Sequence, residues 1–242
     1  TRYRSQEAWE DDAMTPPRRI LVSLLLSAVV ATLVACGSPS YEYVRNTEAK
    51  TAFKVPIEWT VFDEATLQGE TAGPPVNTPD PVEWLIGLDA DPSPAVENVM
   101  NRAAYFSDYP QGIAVVLRLT PEQRDGISYG ALRNLILPID QIQDQVGREA
   151  VQVLAYDDRV EKDGFRGLHF EAQIWASALE GDVTAGGSTV FFDDRFVHVS
   201  QTAYLDPASD KVYVLAVLCS AECFGRNRGD IESVIDSWAV IA

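Results

Sequence analysis

The amino-acid sequence predicts an α+β fold, in which α-helices flank an antiparallel β-sheet. Segments rich in β-branched and aromatic residues follow one another through most of the chain after residue 51. Helical periodicity appears at two separate points, and turn sequences such as residues 206–210 separate the strand-like segments. Strands in succession, with helices set apart from them, are typical of a sheet that is covered by helices.

Eight segments carry strand signals. Residues 112–119 are apolar at almost every position, which predicts an inner strand covered on both faces. The other seven combine Val, Ile, Leu and aromatic residues with flanking turn signals: residues 53–56, 58–62, 82–88, 150–156, 165–175, 189–205 and 211–218. Residues 68–81 contain four prolines and predict a long loop, which is uncommon unless it is functional or mobile.

Two segments carry helix signals. The first is residues 128–137, with Ser128 as the N-cap and Pro138 as the residue that ends the helix. The second is residues 228–238 near the end of the chain. In both, apolar residues recur at the spacing of one helix face: Leu132, Leu135 and Ile136 in the first, and Ile231, Val234, Ile235 and Trp238 in the second.

The N-terminal segment has the features of an export signal. Met14 is followed by Arg18 and Arg19 and then by an apolar run of 15 residues, 20–34. That run is shorter than the ~20 residues of a membrane span and suits a signal peptide. It ends in Leu-Val-Ala before Cys36, which resembles the lipobox of bacterial lipoproteins and implies a lipid, such as palmitate, on Cys36. An ordinary secretory signal or a short anchor helix with a chance cysteine is the alternative.

These signals divide the chain into four parts. Residues 1–13 are acidic and precede the expected start, so we predict an upstream extension that is not part of the protein. Residues 14–35 form the lipoprotein signal peptide, residues 36–51 a lipidated tether, and residues 52–242 a single domain. The domain is then expected on the extracytoplasmic face of the cell membrane, anchored through lipid on Cys36.

The chain is strongly acidic. The chain has 36 acidic and 19 basic residues and a formal net charge of -17. Residues 1–35 contain four of each sign, so the whole excess belongs to the remainder of the chain. Nucleic-acid binding requires clustered Lys and Arg, and it is therefore excluded as an expected function.

Cys219 and Cys223 lie at the end of a predicted strand and in the loop after it. In an oxidising compartment outside the cytoplasm, a disulfide is their expected state. Their spacing differs from the C-x-x-C of redox motifs. A redox or metal-binding role is the alternative.

His169 and His198 are the two histidines of the chain. Strict alternation along their predicted strands places both on the polar face of the sheet, looking outward. A zinc or copper site needs three or four ligands. We therefore expect two unrelated strand histidines, with a metal site as a weak alternative, and we predict no cofactor.

Trp84 and Trp175 are candidates for lining a ligand pocket between the sheet and the proline-rich loop. The alternative is that both belong to the core, as most aromatic residues of such domains do.

The residues 53–59, Phe-Lys-Val-Pro-Ile-Glu-Trp, resemble the F-x-V-P-x-G-W opening of PsbP-like domains, with Glu58 in place of the usual glycine. The later order of strands, hairpins and closing helix is also similar. Actinobacterial lipoproteins of the LpqN/LpqT type are exported members of this group, and an excess of Arg over Lys, 15 to 4, suits such a source. The resemblance implies an α/β/α sandwich, no catalytic site, and binding or assembly at membranes.

Two classes of function follow. The first is a non-enzymatic envelope protein, anchored by lipid, that docks to a membrane-protein complex or holds an amphiphilic ligand such as a glycolipid. It agrees with the absence of a G-x-S-x-G nucleophile motif and of a phosphate-binding loop. The alternative is an envelope hydrolase with a site dispersed over Asp, Glu and His residues.

Overall fold

A seven-stranded antiparallel sheet forms the centre of the computed structural model, which describes residues 40–70, 82–100, 106–160, 164–179 and 196–240. The strand order is β3-β4-β5-β9-β8-β7-β6, so β3 and β6 are the edges. The strands, in chain order, are β3 Thr60–Phe62, β4 Val82–Asp89, β5 Gln111–Arg118, β6 Val151–Val160, β7 Arg166–Trp175, β8 Phe196–Leu205 and β9 Lys211–Ser220. All six pairings are antiparallel, and the predicted α+β class is confirmed.

A second, three-stranded sheet is built from the two ends of the same compact unit, Tyr41–Ala242. It contains β1 Tyr41–Asn46, β2 Thr51–Pro56 and β10 Ala239–Val240, and β2 lies in the middle. The predicted tether over residues 36–51 is therefore too long, because a strand begins at Tyr41. Asn46 closes the β1–β2 hairpin, since its side-chain oxygen accepts hydrogen bonds from the backbone N–H groups of Glu48 and Ala49.

Seven α-helices occur among the described residues: α1 Glu64–Glu70, α2 Val96–Met100, α3 Pro121–Gly126, α4 Tyr129–Arg133, α5 Ile139–Val146, α6 Ala176–Leu179 and α7 Ala221–Asp236. The predicted loop of residues 68–81 thus begins later than expected, because α1 continues to Glu70. Residues 71–81 lie outside the described part. None of the helices in that part is long and apolar enough to cross a membrane.

The helix predicted over residues 128–137 ends earlier than expected, at Arg133. Ser128 is its N-cap as expected and accepts a hydrogen bond from the N–H of Ala131. Asn134 ends α4, because its amide bonds to the carbonyl of Gly130 and to Asp140, whose own N–H returns a hydrogen bond. Local side-chain hydrogen bonds of this kind compete with the helix ladder. The chain then begins a new helix after Pro138.

The last helix begins seven residues earlier than predicted. Ser220 caps it by accepting a hydrogen bond from the N–H of Cys223 at 3.1 Å. The apolar periodicity of residues 231–238 marks only its second half. Its first turns contain Gly225 and Gly229, which have low helix propensity, and tertiary contacts override that weak preference.

The central sheet is covered on both faces. On the face that we call the short-helix face, side chains of α4 and α5 pack on the sheet, among them Leu132, Ile139 and Ile142. On the opposite, long-helix face, α7 and β2 provide the cover, with residues such as Phe224, Ile231 and Phe53. Strand β5 is apolar on both faces for this reason, as its sequence predicts.

Candidate functional site

Six polar residues lie side by side on the long-helix face of β7 and β8, and we call them the polar strip. The register places His198 beside Gln173, Ser200 beside Glu171, and Thr202 beside His169. The alternation of each strand places the intervening residues on the short-helix face, where Gln201 donates a hydrogen bond to the carbonyl of Leu132 and the others are apolar. The members of the polar strip are His169, Glu171, Gln173, His198, Ser200 and Thr202.

His198 is almost fully buried, with 1% of its surface exposed. Its Nε2 atom lies 2.8 Å from Oε1 of Glu171, and its Nδ1 atom lies 3.4 Å from Nε2 of Gln173. Burial lowers the pKa of His198 below its ordinary value, although the charge of Glu171 acts in the opposite direction. The ring is therefore neutral at pH 7, with its Nε2–H donating to Glu171 and its Nδ1 accepting from Gln173.

Helix α7 covers His198 with two of its side chains. The ring of Phe224 stacks on the imidazole with 3.5 Å between ring centroids and an interplanar angle of 9°. Arg228 lies over Phe224, with its guanidinium carbon 5.2 Å from the ring centroid, and its Nη1 is 3.6 Å from Glu171. The carboxylate of Glu171 thus has Arg228 as a nearby cation and His198 as a hydrogen-bond donor. This arrangement orients α7 on the sheet and leaves His198 out of reach of solvent.

The two histidines lie on the same face of the sheet, as the alternation predicts, but they are not exposed side by side. His198 lies beneath α7, and it is four residues along the strands from the position opposite His169. This separation is about 13 Å at about 3.3 Å per residue, too far for one metal ion. Among the described residues, no group of three or more His, Cys, Asp or Glu is arranged to hold a metal ion.

His169 contacts a hydroxyl instead. Its Nδ1 atom lies 3.2 Å from Oγ1 of Thr202. Both Thr202 and the neighbouring Ser200 are buried, with 1% and 3% of their surfaces exposed. Neither hydroxyl is placed to meet a substrate from solution, so these contacts stabilise the sheet.

We expect the stability of the protein to depend on pH through His198. Its folded pKa is depressed, so above the unfolded value of about 6.5 both states are neutral and stability is unaffected. As the pH falls below that value, the unfolded state binds a proton first and stability declines, until the pH is below the folded pKa. His198→Gln should remove this decline, measured by urea unfolding at a series of pH values, whereas His169→Gln should retain it. An identical pH profile for wild type and His198→Gln would contradict the assignment.

Trp84 and Trp175 do not form a common pocket. Trp84 is 7% exposed and packs in an aromatic cluster with Phe53 and Trp238, its ring stacked on Trp238 at 6.4 Å. Trp175 is 45% exposed at the end of β7, edge-on to Phe196. Trp84 is on β4 and Trp175 is on β7, and three strands lie between β4 and β7. The two strands are therefore four inter-strand spacings of about 4.8 Å apart, roughly 19 Å. The two tryptophans are thus not neighbours, which the chain order did not show; residues 71–81 of the proline-rich loop, the other wall of the predicted pocket, lie outside the described residues.

A polar cleft of about 220 Å³ lies where the β1–β2 hairpin approaches the ends of β4, β5 and β9. Glu83 occupies it and forms ion pairs with Arg118 at 2.5 Å and Lys211 at 2.6 Å. Partial burial alone would raise the pKa of Glu83, but these two cations outweigh burial and hold the pKa below its usual range. Glu48 also lines the cleft, so two carboxylates face two cations and the lining has no excess of positive charge for an anion. Sequence reasoning missed it, since it depends on strand register.

Cys219 and Cys223 form the expected disulfide. Their Cα atoms are 5.9 Å apart, and both residues are fully buried. The bridge joins the end of β9 to the first turn of α7 and faces the long-helix side of the core.

Reduction of this disulfide should destabilise the domain by about 2 kcal/mol, the chain-entropy value for a very short loop. The midpoint of thermal unfolding should then fall by about 4–8 °C for a domain of this size. Differential scanning calorimetry with and without dithiothreitol measures the shift. The Cys219→Ala/Cys223→Ala variant is the control, because its midpoint should not respond to the reductant. An unchanged midpoint after complete reduction would contradict the expectation.

Edge strand β6 has several exposed apolar side chains. Val153, Leu154 and Tyr156 are between 42% and 44% exposed, and Asp157 and Asp158 follow them at the surface. Tyr156 is supported by Phe170, edge-on at 6.3 Å between ring centroids. The register shifts between Val153 and Ala155, which leaves Leu154 as a bulge. The alternation of residues 150–156 predicts a strand, but only the strand order shows that it is an edge.

Cys36 and the signal segment around it lie outside the described residues, as does most of the proline-rich loop. The lipid attachment at Cys36 therefore stays a prediction from the sequence.

Comparison of the sequence with protein families and with curated proteins finds no match. Solved structures similar to this chain include the cyanobacterial PsbP protein CyanoP of Synechocystis, with a TM-score of 0.46 and 12% identity over 85% of this chain and 95% of that one. LpqN, involved in cell envelope biogenesis of Mycobacterium tuberculosis, has a TM-score of 0.43 and 12% identity over 86% of this chain and 88% of LpqN.

The Ran-binding protein Mog1p of Saccharomyces cerevisiae has a TM-score of 0.41 and 10% identity over 84% of this chain and 97% of Mog1p. These likenesses concern the course of the backbone alone. The fold class rests on the chain's own structure: an antiparallel sheet with helices on both faces.

Proposed function

We propose that the protein is a lipid-anchored, extracytoplasmic envelope protein that docks to a membrane-protein complex and does not catalyse a reaction. The support for its location is the order of sequence features before the domain: a basic pair, a short apolar run, and Cys36 in a lipobox-like setting. Lipid on Cys36 would keep the domain close to the membrane, where its partner is expected.

The observation that carries the docking function is the aromatic cluster around Trp84. An amphiphilic ligand such as a glycolipid needs an apolar cavity, and Trp84 was the side chain most suited to line one. Its ring is instead packed between Phe53 and Trp238, whose centroids are 5.3 Å apart. The protein's own side chains occupy this part of the long-helix face, which favours a protein partner at the surface over a lipid inside.

The polar strip supports a role without catalysis. A nucleophile needs a base within hydrogen-bond reach and access for the substrate. Thr202 has the first, through His169 at 3.2 Å, but it lacks the second. His198 is held neutral between Glu171 and Gln173 under Phe224, and its interactions orient α7.

The anchor is tested by metabolic labelling of the full chain with radioactive palmitate in a bacterial host. Wild type should incorporate the label, and Cys36→Ala should not. The Cys219→Ala/Cys223→Ala variant is the matched control and should be labelled like wild type. Label retained in Cys36→Ala would contradict lipid attachment at this residue.

The docking function is tested on membranes of the source organism, dissolved in a mild detergent and separated by native electrophoresis. The protein should migrate with a complex well above its own mass of 26.6 kDa, and extraction should yield no lipid in stoichiometric amount. Migration as a free monomer, together with one tightly held lipid per chain, would favour the carrier of an amphiphilic ligand and contradict docking.

A further inference from the structure

We propose that the outer edge of β6, Val151–Val160, binds an extended, basic segment of the partner protein by strand addition. This inference rests on the proposed docking function and specifies its surface. The segment would alternate apolar residues, one of them opposite Tyr156, with Lys or Arg residues, one of them opposite Asp157.

The backbone of β6 provides the first argument. Among the described residues, β6 pairs with β7 alone, although it is ten residues long. The other edge of the central sheet, β3, has three residues. An edge strand presents unpaired N–H and C=O groups along one side, and an extended peptide can add to them. The length of β6 offers room for such a segment.

The side chains of β6 provide the second argument. Exposed edges are usually protected by charged residues, prolines, bulges or short strands, because an apolar edge promotes aggregation. Here Val153, Leu154 and Tyr156 are each more than two-fifths exposed, and Val146 at the end of the adjacent α5 is 46% exposed. Tyr156 is held against Phe170 and is therefore ordered before binding. The side chains of this strand are thus apolar from Val153 to Tyr156, and all but the small Ala155 are exposed.

The charge provides the third argument and selects the partner. Asp157 and Asp158 are exposed directly after Tyr156, and the chain as a whole has a net charge of -17. The strong net charge disfavours association between two copies of the chain. A basic segment is attracted by the same charges, and complementary charge also sets the register of binding.

The bulge at Leu154 limits where the added strand can pair. A bulge interrupts the regular ladder and increases the local twist. From Ala155 to Val160 the register with β7 is regular, without a further shift. We therefore place the main-chain contacts along residues 155–160, with Val153 and Leu154 as side-chain contacts beyond them.

The first experiment uses synthetic peptides of about ten residues, close to the upper length of natural strands, and the full chain purified from membranes in mild detergent. One peptide alternates valine and lysine, and the other alternates valine and glutamate. Hydrogen–deuterium exchange should show at least about tenfold slower exchange of amides in β6 with the basic peptide, lessened by added salt. The acidic peptide should have no effect.

Variants locate the surface. Tyr156→Lys and Asp157→Lys/Asp158→Lys should each weaken binding of the basic peptide at least about tenfold. Tyr43→Lys is the matched control for the first, since Tyr43 is also an exposed tyrosine on an edge strand, β1. Glu58→Lys/Asp125→Lys is the control for the second, because it makes the same change in net charge at other exposed positions. Both controls should bind like wild type.

Two results would overturn the inference: equal protection of the β1 and β6 amides, or equal loss of peptide affinity in the β6 variants and their controls. Either result would show that the basic peptide is attracted to the acidic protein as a whole. The same variants in native electrophoresis separate the two proposals. If wild type does not migrate with a complex, the docking function fails. If wild type does and the β6 variants still do, docking stands and the assigned surface is wrong.

Discussion

Replacing Trp84 with alanine is expected to lower the free energy of unfolding by about 3–5 kcal/mol, the usual cost for a large aromatic residue in a core. The side chain is 7% exposed and contacts Phe53 and Trp238, so its removal leaves a cavity among rings that belong to different elements. The midpoint of thermal unfolding should fall by about 10 °C for a domain of this size. Calorimetry and urea unfolding measure the change.

Trp175→Ala is the matched control. This tryptophan is 45% exposed and contacts Phe196 edge-on, so its loss should cost less than about 1 kcal/mol. The two tryptophans are thus expected to differ several-fold in their effect. Equal and small effects would contradict the filled aromatic cluster and would reopen a ligand pocket at Trp84.

Replacing Phe224 with alanine is expected to have two coupled effects. The free energy of unfolding should fall by about 3–5 kcal/mol, because Phe224 is 1% exposed and lies between α7 and the sheet. The pKa of His198 should rise towards its ordinary value, because burial is the main cause that lowers it and the ring of Phe224 covers the imidazole. The first effect is measured by urea unfolding and the second by NMR titration of the imidazole protons.

The control for this variant is Ile235→Ala. Ile235 is also buried in α7, but it lies eleven residues further on, about 16 Å along the helix. Its removal should cost about 2–5 kcal/mol and leave the pKa of His198 unchanged. A similar rise of the pKa in both variants would show general loosening of the domain and not uncovering of His198.

The strands were the most predictable part of the structure. Residues 112–119 and 211–218 were recognised because a run of apolar residues without polar alternation is typical of an inner strand. Strand β1 was missed, since Tyr41–Asn46 is a polar and aromatic segment whose pairing depends on β2 and on nothing within its own sequence. The helix that begins after Ser128 ended earlier than predicted, because the side chain of Asn134 bonds to the backbone.

For the candidate site, the sequence predicted which sheet face a residue lies on but not how far apart two residues are. Alternation correctly put His169 and His198 on one face, because the side-chain period of a strand is two residues. The separation of the two histidines depends on register, and that of Trp84 and Trp175 on strand order. Both are set by long-range pairing, for which a single sequence carries little signal.

The pairing of β2 with β10 has a consequence for the order in which the domain folds. Ala52 lies opposite Ala239, so the first part of the domain is completed by its last part. A chain that crosses a membrane from its N-terminus emerges with β2 exposed and has to wait for residues 239–240 before the small sheet can close. Contacts between such distant residues form slowly. If the protein is exported as we propose, its domain is therefore expected to reach its final form only after translocation is complete.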